Sequence, residues 1–276
     1  MDTLTEKRER LAALLRAAGR VAVGFSGGVD STLLLRLALD VLGPGNVLAV
    51  IADTPTLPRR EYEAARQLAA AFGATCLTIH PGELDDPDFL ANAPDRCYFC
   101  KHHLLAEIAR VAAERGFARV LDGNNADDAG DYRPGRRAAR ELGVQSPLME
   151  ADFTKAEIRV LSRQLGLPTA DKPAMACLAS RIPYGTPVTT AALAQVERAE
   201  SFLRDAGFTV CRVRHHGDVA RIELAPEELP RACAAPMREH LARGIQAAGY
   251  RYAALDLLGY RMGSLNEVLA PTEKDA

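Results

Sequence analysis

The sequence contains no tryptophan and only 5% aromatic residues, so its core must be assembled mainly from Leu, Val, Ile and Ala. Charge of one sign is also missing: 34 Lys and Arg stand against 36 Asp and Glu, a formal net charge of −2. A chain that grips many nucleic-acid phosphates carries a basic surplus, so this balance argues against a dedicated tRNA or DNA binder. No apolar run approaches the ~20 residues needed to span a bilayer, and no membrane association is expected. The stretch from Leu4 to Ala18 is charged and amphipathic, unlike a secretory leader. The expected location is therefore the cytoplasm. In that reducing compartment the six cysteines read as free thiols, metal ligands or catalytic groups rather than as a disulfide framework. Internal repeats and low-complexity tracts are absent, and only Pro271 to Ala276 has the composition of a disordered tail.

What is present is a long alternation of strands and helices. Leu11, Leu14 and Leu15 place apolar residues on one side of a helix over 4–18. Val21-Ala22-Val23-Gly24-Phe25 reads as a buried strand, followed by a glycine-rich turn and a helix over 31–41. Further strands are expected at 46–51, 75–79 and 118–121, with a helix over 58–72 and another that follows Cys97-Tyr98-Phe99-Cys100 and ends near Gly116. Such alternation predicts an α/β fold with a parallel sheet covered by helices on both faces. Ligands in such sheets bind beyond the carboxyl ends of the strands. Residues 133–187 read as loop-rich with one helix over 154–165. Beyond Pro187 a helix, a hairpin turning at His216-Gly217-Asp218, another helix and a last strand over 252–258 predict a small α+β domain. The expected domains are 1–187 and 188–276.

Ser26-Gly27-Gly28-Val29-Asp30-Ser31 lacks the Gly-Lys-Ser/Thr ending of a Walker loop and the Gly-x-Gly-x-x-Gly of a dinucleotide site. Two adjacent glycines allow an anion to approach the backbone, and the following helix aims its free N–H groups at it. The hydroxyls of Ser26 and Ser31 add donors. Asp30 does not suit bare phosphate and is better placed to hold Mg²⁺ or to orient the loop. A plain βα turn without a ligand is the alternative. In this context the loop resembles that of the PP-loop ATP pyrophosphatases, which include GMP synthetase, NAD synthetase and the tRNA thiolases. The resemblance implies an adenine nucleotide alpha hydrolase-like fold. It also implies ATP cleavage between the α and β phosphates, with adenylation of a carboxylate or carbonyl oxygen. It places Asp53 near adenosine, and Asn124, Asp127 and Asp128 near Mg²⁺ or the ATP phosphates. The alternative for the last three is a polar turn cap.

A second segment, Ala176-Cys177-Leu178-Ala179-Ser180-Arg181-Ile182-Pro183-Tyr184-Gly185, gathers a thiol, a hydroxyl and a guanidinium outside any regular pattern. Taken with Asp122-Gly-Asn-Asn-Ala-Asp-Asp128 and Gly259-Tyr-Arg-Met-Gly-Ser-Leu265, it resembles the LarE-type sulfur transferases, which help build the nickel-pincer nucleotide of lactate racemase. Asn124 stands where that loop is expected to carry Thr. The likeness spans nearly the whole chain. It implies a pyridinium mononucleotide substrate with two carboxylates, each adenylated and then converted to a thiocarboxylate. Cys177 matches the sulfur-bearing cysteine, with Asp30 and Ser180 beside it in the catalytic set. Arg181, Arg212 and Arg214 suit the substrate phosphate, with Arg261 and Ser264 completing the pocket. The family also implies a homo-oligomer and a downstream nickel-inserting enzyme as recipient of the product.

Two sulfur sources follow from the resemblance. In one, Cys177 gives up its own sulfur. In the other, Cys97, Cys100 and Cys177 hold a 4Fe–4S cluster whose open iron accepts sulfide from an external donor. The Cys-x-x-Cys spacing lets two thiolates reach one metal or cluster, and it also suits a redox dithiol or a zinc site using His102 or His103. The cluster is the expectation. Cys76, Cys211 and Cys233 read as packing residues. Three other functions compete. A tRNA thiolase would retain bulk tRNA on a filter. An amidating synthetase of the NAD or GMP type would need an ammonia source. An ATP-sensing module would bind ATP without releasing pyrophosphate.

Overall fold

The computed structural model describes residues 3–130, 134–174 and 176–268. The expected disordered tail, 271–276, lies outside them. In chain order the elements are α1 (Leu4–Ala18), β1 (Val21–Gly24), α2 (Val29–Leu42), β2 (Val47–Ala52), α3 (Arg59–Ala71), β3 (Thr75–Ile79), α4 (Pro87–Leu90), α5 (Arg96–Glu114) and β4 (Arg119–Leu121). They continue as α6 (Pro134–Glu141), α7 (Pro147–Glu150), α8 (Lys155–Gln164), α9 (Thr190–Asp205), β5 (Cys211–His216), β6 (Val219–Leu224), α10 (Leu229–Cys233), α11 (Met237–Ala247) and β7 (Tyr252–Leu255). Two compact units result: residues 1–86 with 95–175, and residues 87–94 with 176–276. The division thus falls at 175/176, ahead of the expected 187/188, and the second unit also takes in the short helix α4.

The first unit carries a parallel sheet in the order β3-β2-β1-β4. Val21 and Val23 enter one apolar core with Leu33, Leu34 and Ile158, while Ala22 enters another with Leu105 and Ile108. The strands alternate their side chains, so α1, α2, α3 and α8 cover one face and α5 covers the other, as a buried parallel sheet requires. Capping boxes start α1 at Thr3 with Glu6 and α8 at Thr154 with Glu157. The buried Lys7 ties these two helices by reaching Glu157 at 3.0 Å.

Several local expectations shift. α2 begins at Val29 rather than Ser31, which puts Asp30 and Ser31 in its first turn. α5 begins at Arg96, so Cys97 and Cys100 lie within the helix, three residues apart on one side, rather than ahead of it. The segment expected to be loop-rich holds α6 and α7 as well as α8. α6 escapes a reading of apolar periodicity because, among its described side chains, only Ala138 and Ala139 are buried. Cys211 packs in a core as expected, but Cys76 and Cys233 are exposed. Cys76 sits on β3, the edge strand, whose first residues face solvent, and Cys233 ends the short α10.

The second unit is an α+β sandwich of a three-stranded sheet, order β5-β6-β7, with α9 and α11. β5 and β6 form the expected antiparallel hairpin, and β7 adds in parallel to β6. Cys211, Val213, Ala220, Ile222 and Leu224 point into a core shared with Leu203, Phe208, Leu241 and Ile245. By alternation Arg212, Arg214, Arg221 and Glu223 occupy the opposite face.

Candidate active site

The phosphate loop follows β1, an inner strand lying between β2 and β4. β1/β4 is the point where the strand order reverses, and a crevice forms there beyond the carboxyl ends of the strands. Phe25 is still held in the sheet by its N–H to the Val50 carbonyl, 2.8 Å. Gly27 then turns the chain with φ +68°. A Cβ at this position would stand 2.9 Å from the Cβ of Ala65, so helix α3 leaves room only for glycine. Gly28 caps α2 with no side-chain hydrogen bond to the first-turn amides. Those amides and the positive helix end are left for an anion. The two serine hydroxyls lie 3.1 Å apart, and the Ser31 hydroxyl also accepts from the Ser26 N–H at 3.3 Å.

Across the reversal point, the turn after β4 comes close enough that a Cβ on Gly123 would sit 3.0 Å from the Ser31 nitrogen. This turn supplies Asn125, whose Nδ2 donates to Asp30 Oδ1 at 3.3 Å, and Asp127, whose Oδ2 accepts from the Lys155 N–H at 2.8 Å. Lys155 Nζ makes an ion pair with Asp30. Lys172 Nζ donates to the Gly27 carbonyl at 2.9 Å and pairs with Glu61 at 2.7 Å, which steadies the loop. The expected Asp30, Ser31 and Asp127 are therefore brought together. Asn124 and Asp128 serve the turn itself: Asn124 Nδ2 donates to Asp122 at 2.6 Å, and Asp128 accepts from the Asn125 N–H at 3.0 Å.

Asp53 follows β2, with its N–H on the Ile79 carbonyl and its carboxylate paired with Arg59. Just beyond, Thr54 and Thr56 close over the buried carboxylate of Glu83.

In the second unit, Cys177 opens a single 3₁₀ turn over Leu178–Arg181. Its carbonyl accepts from the Ser180 hydroxyl at 2.7 Å and from Arg181 Nη1 at 2.9 Å. Arg181 is only 2% exposed and meets Glu200 through Nε and Nη2 at 2.7 and 3.1 Å. Arg214 pairs in the same two-pronged way with buried Glu223, at 2.9 and 2.8 Å, and donates to the Ser180 carbonyl and the Ser264 hydroxyl. Arg261 pairs with Glu267.

Arg212 differs from these. It donates to the Cys211 carbonyl at 2.7 Å and lies over the Tyr260 ring, and no described carboxylate is within ion-pair distance. Burial, and then the nearby Arg181 charge, lower its pKa. A half-buried guanidinium in that state is the one most improved by an incoming anion.

Lys155, Lys172, Asn125, Glu200 and Glu223 join these sites without being among the residues expected from the sequence. Glu200 had a signal, since it falls on the Leu193, Val196, Leu203 stripe of α9 where a carboxylate has to be paired. Glu223 had one too, because hairpin register sets it opposite Arg212. The two lysines had none, as their partners are far away in the chain.

The first unit is thus a PP-loop nucleotide-binding domain, and the protein-family model for NAD synthase matches it over residues 10–86. Full-length relatives narrow the class. The chain is 41% identical to pyridinium-3,5-bisthiocarboxylic acid mononucleotide synthase of Lactiplantibacillus plantarum, over 99% of this chain and 98% of that one. It is 42% identical to the uncharacterized protein slr1717 of Synechocystis, over 96% and 99%. An NH(3)-dependent NAD(+) synthetase of Chlorobaculum tepidum is 28% identical over 58% of each chain. This chain belongs to the pyridinium-3,5-bisthiocarboxylic acid mononucleotide synthase family and is an enzyme.

Among the described residues no group of three or more His, Cys, Asp or Glu side chains is gathered to hold a metal, and no helix is long and apolar enough to cross a membrane. Cys97 and Cys100 share one side of α5 in the first unit, and Cys177 belongs to the second.

Proposed function

We propose that this enzyme uses ATP to replace carboxylate oxygens of pyridinium-3,5-biscarboxylic acid mononucleotide by sulfur. The observation that carries the reading is the uncapped start of α2 behind Gly27 and Gly28, with Asp30 and two lysines around it, in a chain matching such a synthase end to end. In the first step a substrate carboxylate oxygen attacks the α-phosphorus of ATP. The bond to the bridging oxygen breaks, and pyrophosphate leaves. The Gly28 turn amides with the Ser26 and Ser31 hydroxyls cradle the departing phosphates. Asp53 and its neighbours take the adenosine. Asp30 and Asp127, with Asn124 and Asp128 shaping the turn, suit Mg²⁺, which when bound neutralises charge on the leaving group.

In the second step a sulfur nucleophile attacks the acyl carbon and AMP leaves. With Cys177 as that nucleophile a thioester forms, and loss of the Cys177 Cα proton to solvent then breaks its Cβ–Sγ bond, leaving the thiocarboxylate and a dehydroalanine. Cys177 is the sulfur-bearing group in this reading. Its backbone carbonyl is held by the Ser180 hydroxyl and by Arg181. Arg212 takes the substrate phosphate within the frame of Arg181, Arg214, Ser264 and Arg261. A 4Fe–4S cluster on Cys97, Cys100 and Cys177, fed by an external sulfide donor, is the other sulfur source. The placement of Cys97 and Cys100 on one side of α5 favours it. We place the reaction in the cytoplasm, in keeping with six cysteines outside any disulfide. A homo-oligomer is supported by Tyr252, Leu257, Leu258 and Met262, all exposed on one stretch of chain, and the product passes to a nickel-inserting enzyme.

The test is anaerobic intact-mass spectrometry after incubation with Mg-ATP and the dicarboxylate mononucleotide. Loss of the elements of H₂S located at Cys177 establishes the sacrificial route. Thiocarboxylate from an unchanged polypeptide that needs added iron and sulfide establishes the cluster. Absence of both product and pyrophosphate sinks the substrate assignment.

A further inference from the structure

Lys155 is the first residue of α8, and its backbone is firmly held. Its N–H donates to Asp127, and the preceding Thr154 forms the capping box with Glu157 that buried Lys7 reinforces. Among the described residues its side chain makes a polar contact only at its tip. Its ammonium rests on Asp30, in a pair whose side chains are 33% and 22% exposed, so solvent and solutes reach it. Asp30 is the second residue of α2, whose first-turn amides have no side-chain cap. One cation and one carboxylate are thus joined at the mouth of an anion site. A phosphate there gains from the ammonium and is repelled by the carboxylate. A divalent cation has the reverse preferences.

We propose that Lys155 is an exchangeable counter-cation of the phosphate loop. It occupies Asp30 while the loop is empty. When a divalent cation takes the Asp30 oxygen, the ammonium swings by side-chain rotation to the polyphosphate. The proposal deepens the phosphate-loop reading and rests on it. A lysine suits the task because its charge sits on a flexible four-carbon stem and its three donors are not fixed in direction. The pair also keeps a divalent cation from settling on Asp30 without nucleotide, since such a cation must displace the ammonium first. Metal and triphosphate consequently enter together.

The distinguishing experiment measures two ligands separately on the full chain, before any turnover. Mn²⁺ binding to the nucleotide-free protein is followed by electron paramagnetic resonance. Binding of inorganic pyrophosphate without metal is followed by calorimetry. Lys155→Met is expected to tighten Mn²⁺ and weaken pyrophosphate, each by about tenfold, the value of one charge-assisted contact. Lys155→Arg keeps the charge and is expected to restore both toward wild type. A merely structural lysine would weaken both ligands or neither, and either result overturns the proposal. Thermal melts of both variants serve as the folding control, because a pair this exposed contributes little to stability. Wild-type protein that binds neither pyrophosphate nor ATP overturns the phosphate-loop reading as well. Wild-type binding with Lys155→Met unchanged overturns this proposal alone.

Discussion

Arg181 and Glu200 meet inside the second unit at 2.7 Å, with side chains 2% and 0% exposed. The same guanidinium holds the carbonyls of Ala176 and Cys177. Taking two charges out of water is costly, and the pair compensates only while both members are present. The loop that carries the proposed sulfur is therefore fixed by a buried ion pair as well as by the buried Leu178, Ala179 and Ile182.

Glu200→Gln is expected to leave the Arg181 charge buried without its partner and to cost about 3–5 kcal/mol. Joint replacement of Arg181 and Glu200 by Met should cost less than Glu200→Gln alone. Burial by itself would raise the Glu200 carboxyl, but Arg181, helped by Arg204 and Arg212, outweighs it and holds the pKa below the ordinary value. A depressed carboxyl contributes stability above its unfolded pKa of about 4.3 and loses it as pH falls through the folded value. Thermal melts between neutral and acid pH should show this acid limb in wild type and flatten it in Glu200→Gln.

Gly27→Ala tests the loop. An L-residue at φ +68° costs about 1–2 kcal/mol, and the added methyl meets Ala65 at 2.9 Å. ATP affinity, measured by calorimetry, should fall at least about tenfold, while the melting temperature of the ligand-free protein drops by only a few degrees.

Gly244 of α11 lies against the Phe202 ring of α9, where a Cβ would stand 2.0 to 2.4 Å from three ring atoms. Alanine is favoured over glycine in a helix by about 1 kcal/mol, whereas overpacking costs about 1–3 kcal/mol. Gly244→Ala should therefore destabilise in chemical denaturation, and should become stabilising once Phe202→Leu removes the ring. Destabilisation of equal size in both backgrounds would discard this explanation.

The cysteines should separate by reactivity. Cys211 is buried, and burial together with Glu200 pushes its thiol up to about 11. Cys76, Cys97 and Cys233 are exposed. Native labelling with a thiol reagent at neutral pH, read by peptide mass spectrometry, should mark these three within minutes and Cys211 only after unfolding. Rapid native labelling of Cys211 would contradict its packing.

The sequence alone determined the elements whose information is local. Apolar runs of the right length made β1 and β2, and the glycine pair behind β1 made the phosphate loop, because strand periodicity and positive φ are properties of neighbouring residues. The strand–helix alternation also determined the parallel sheet, since right-handed crossovers leave few other topologies. The tertiary structure decided which charges are spent internally. Arg181, Arg212 and Arg214 look alike in the sequence, yet Glu200 and Glu223 bury two of them in ion pairs and leave the third without a carboxylate at ion-pair distance among the described residues. It also decided that Lys155 and Lys172 serve a loop more than a hundred residues earlier. Long-range pairing of this kind depends on how close the folded elements come, and single-residue chemistry carries no record of that distance.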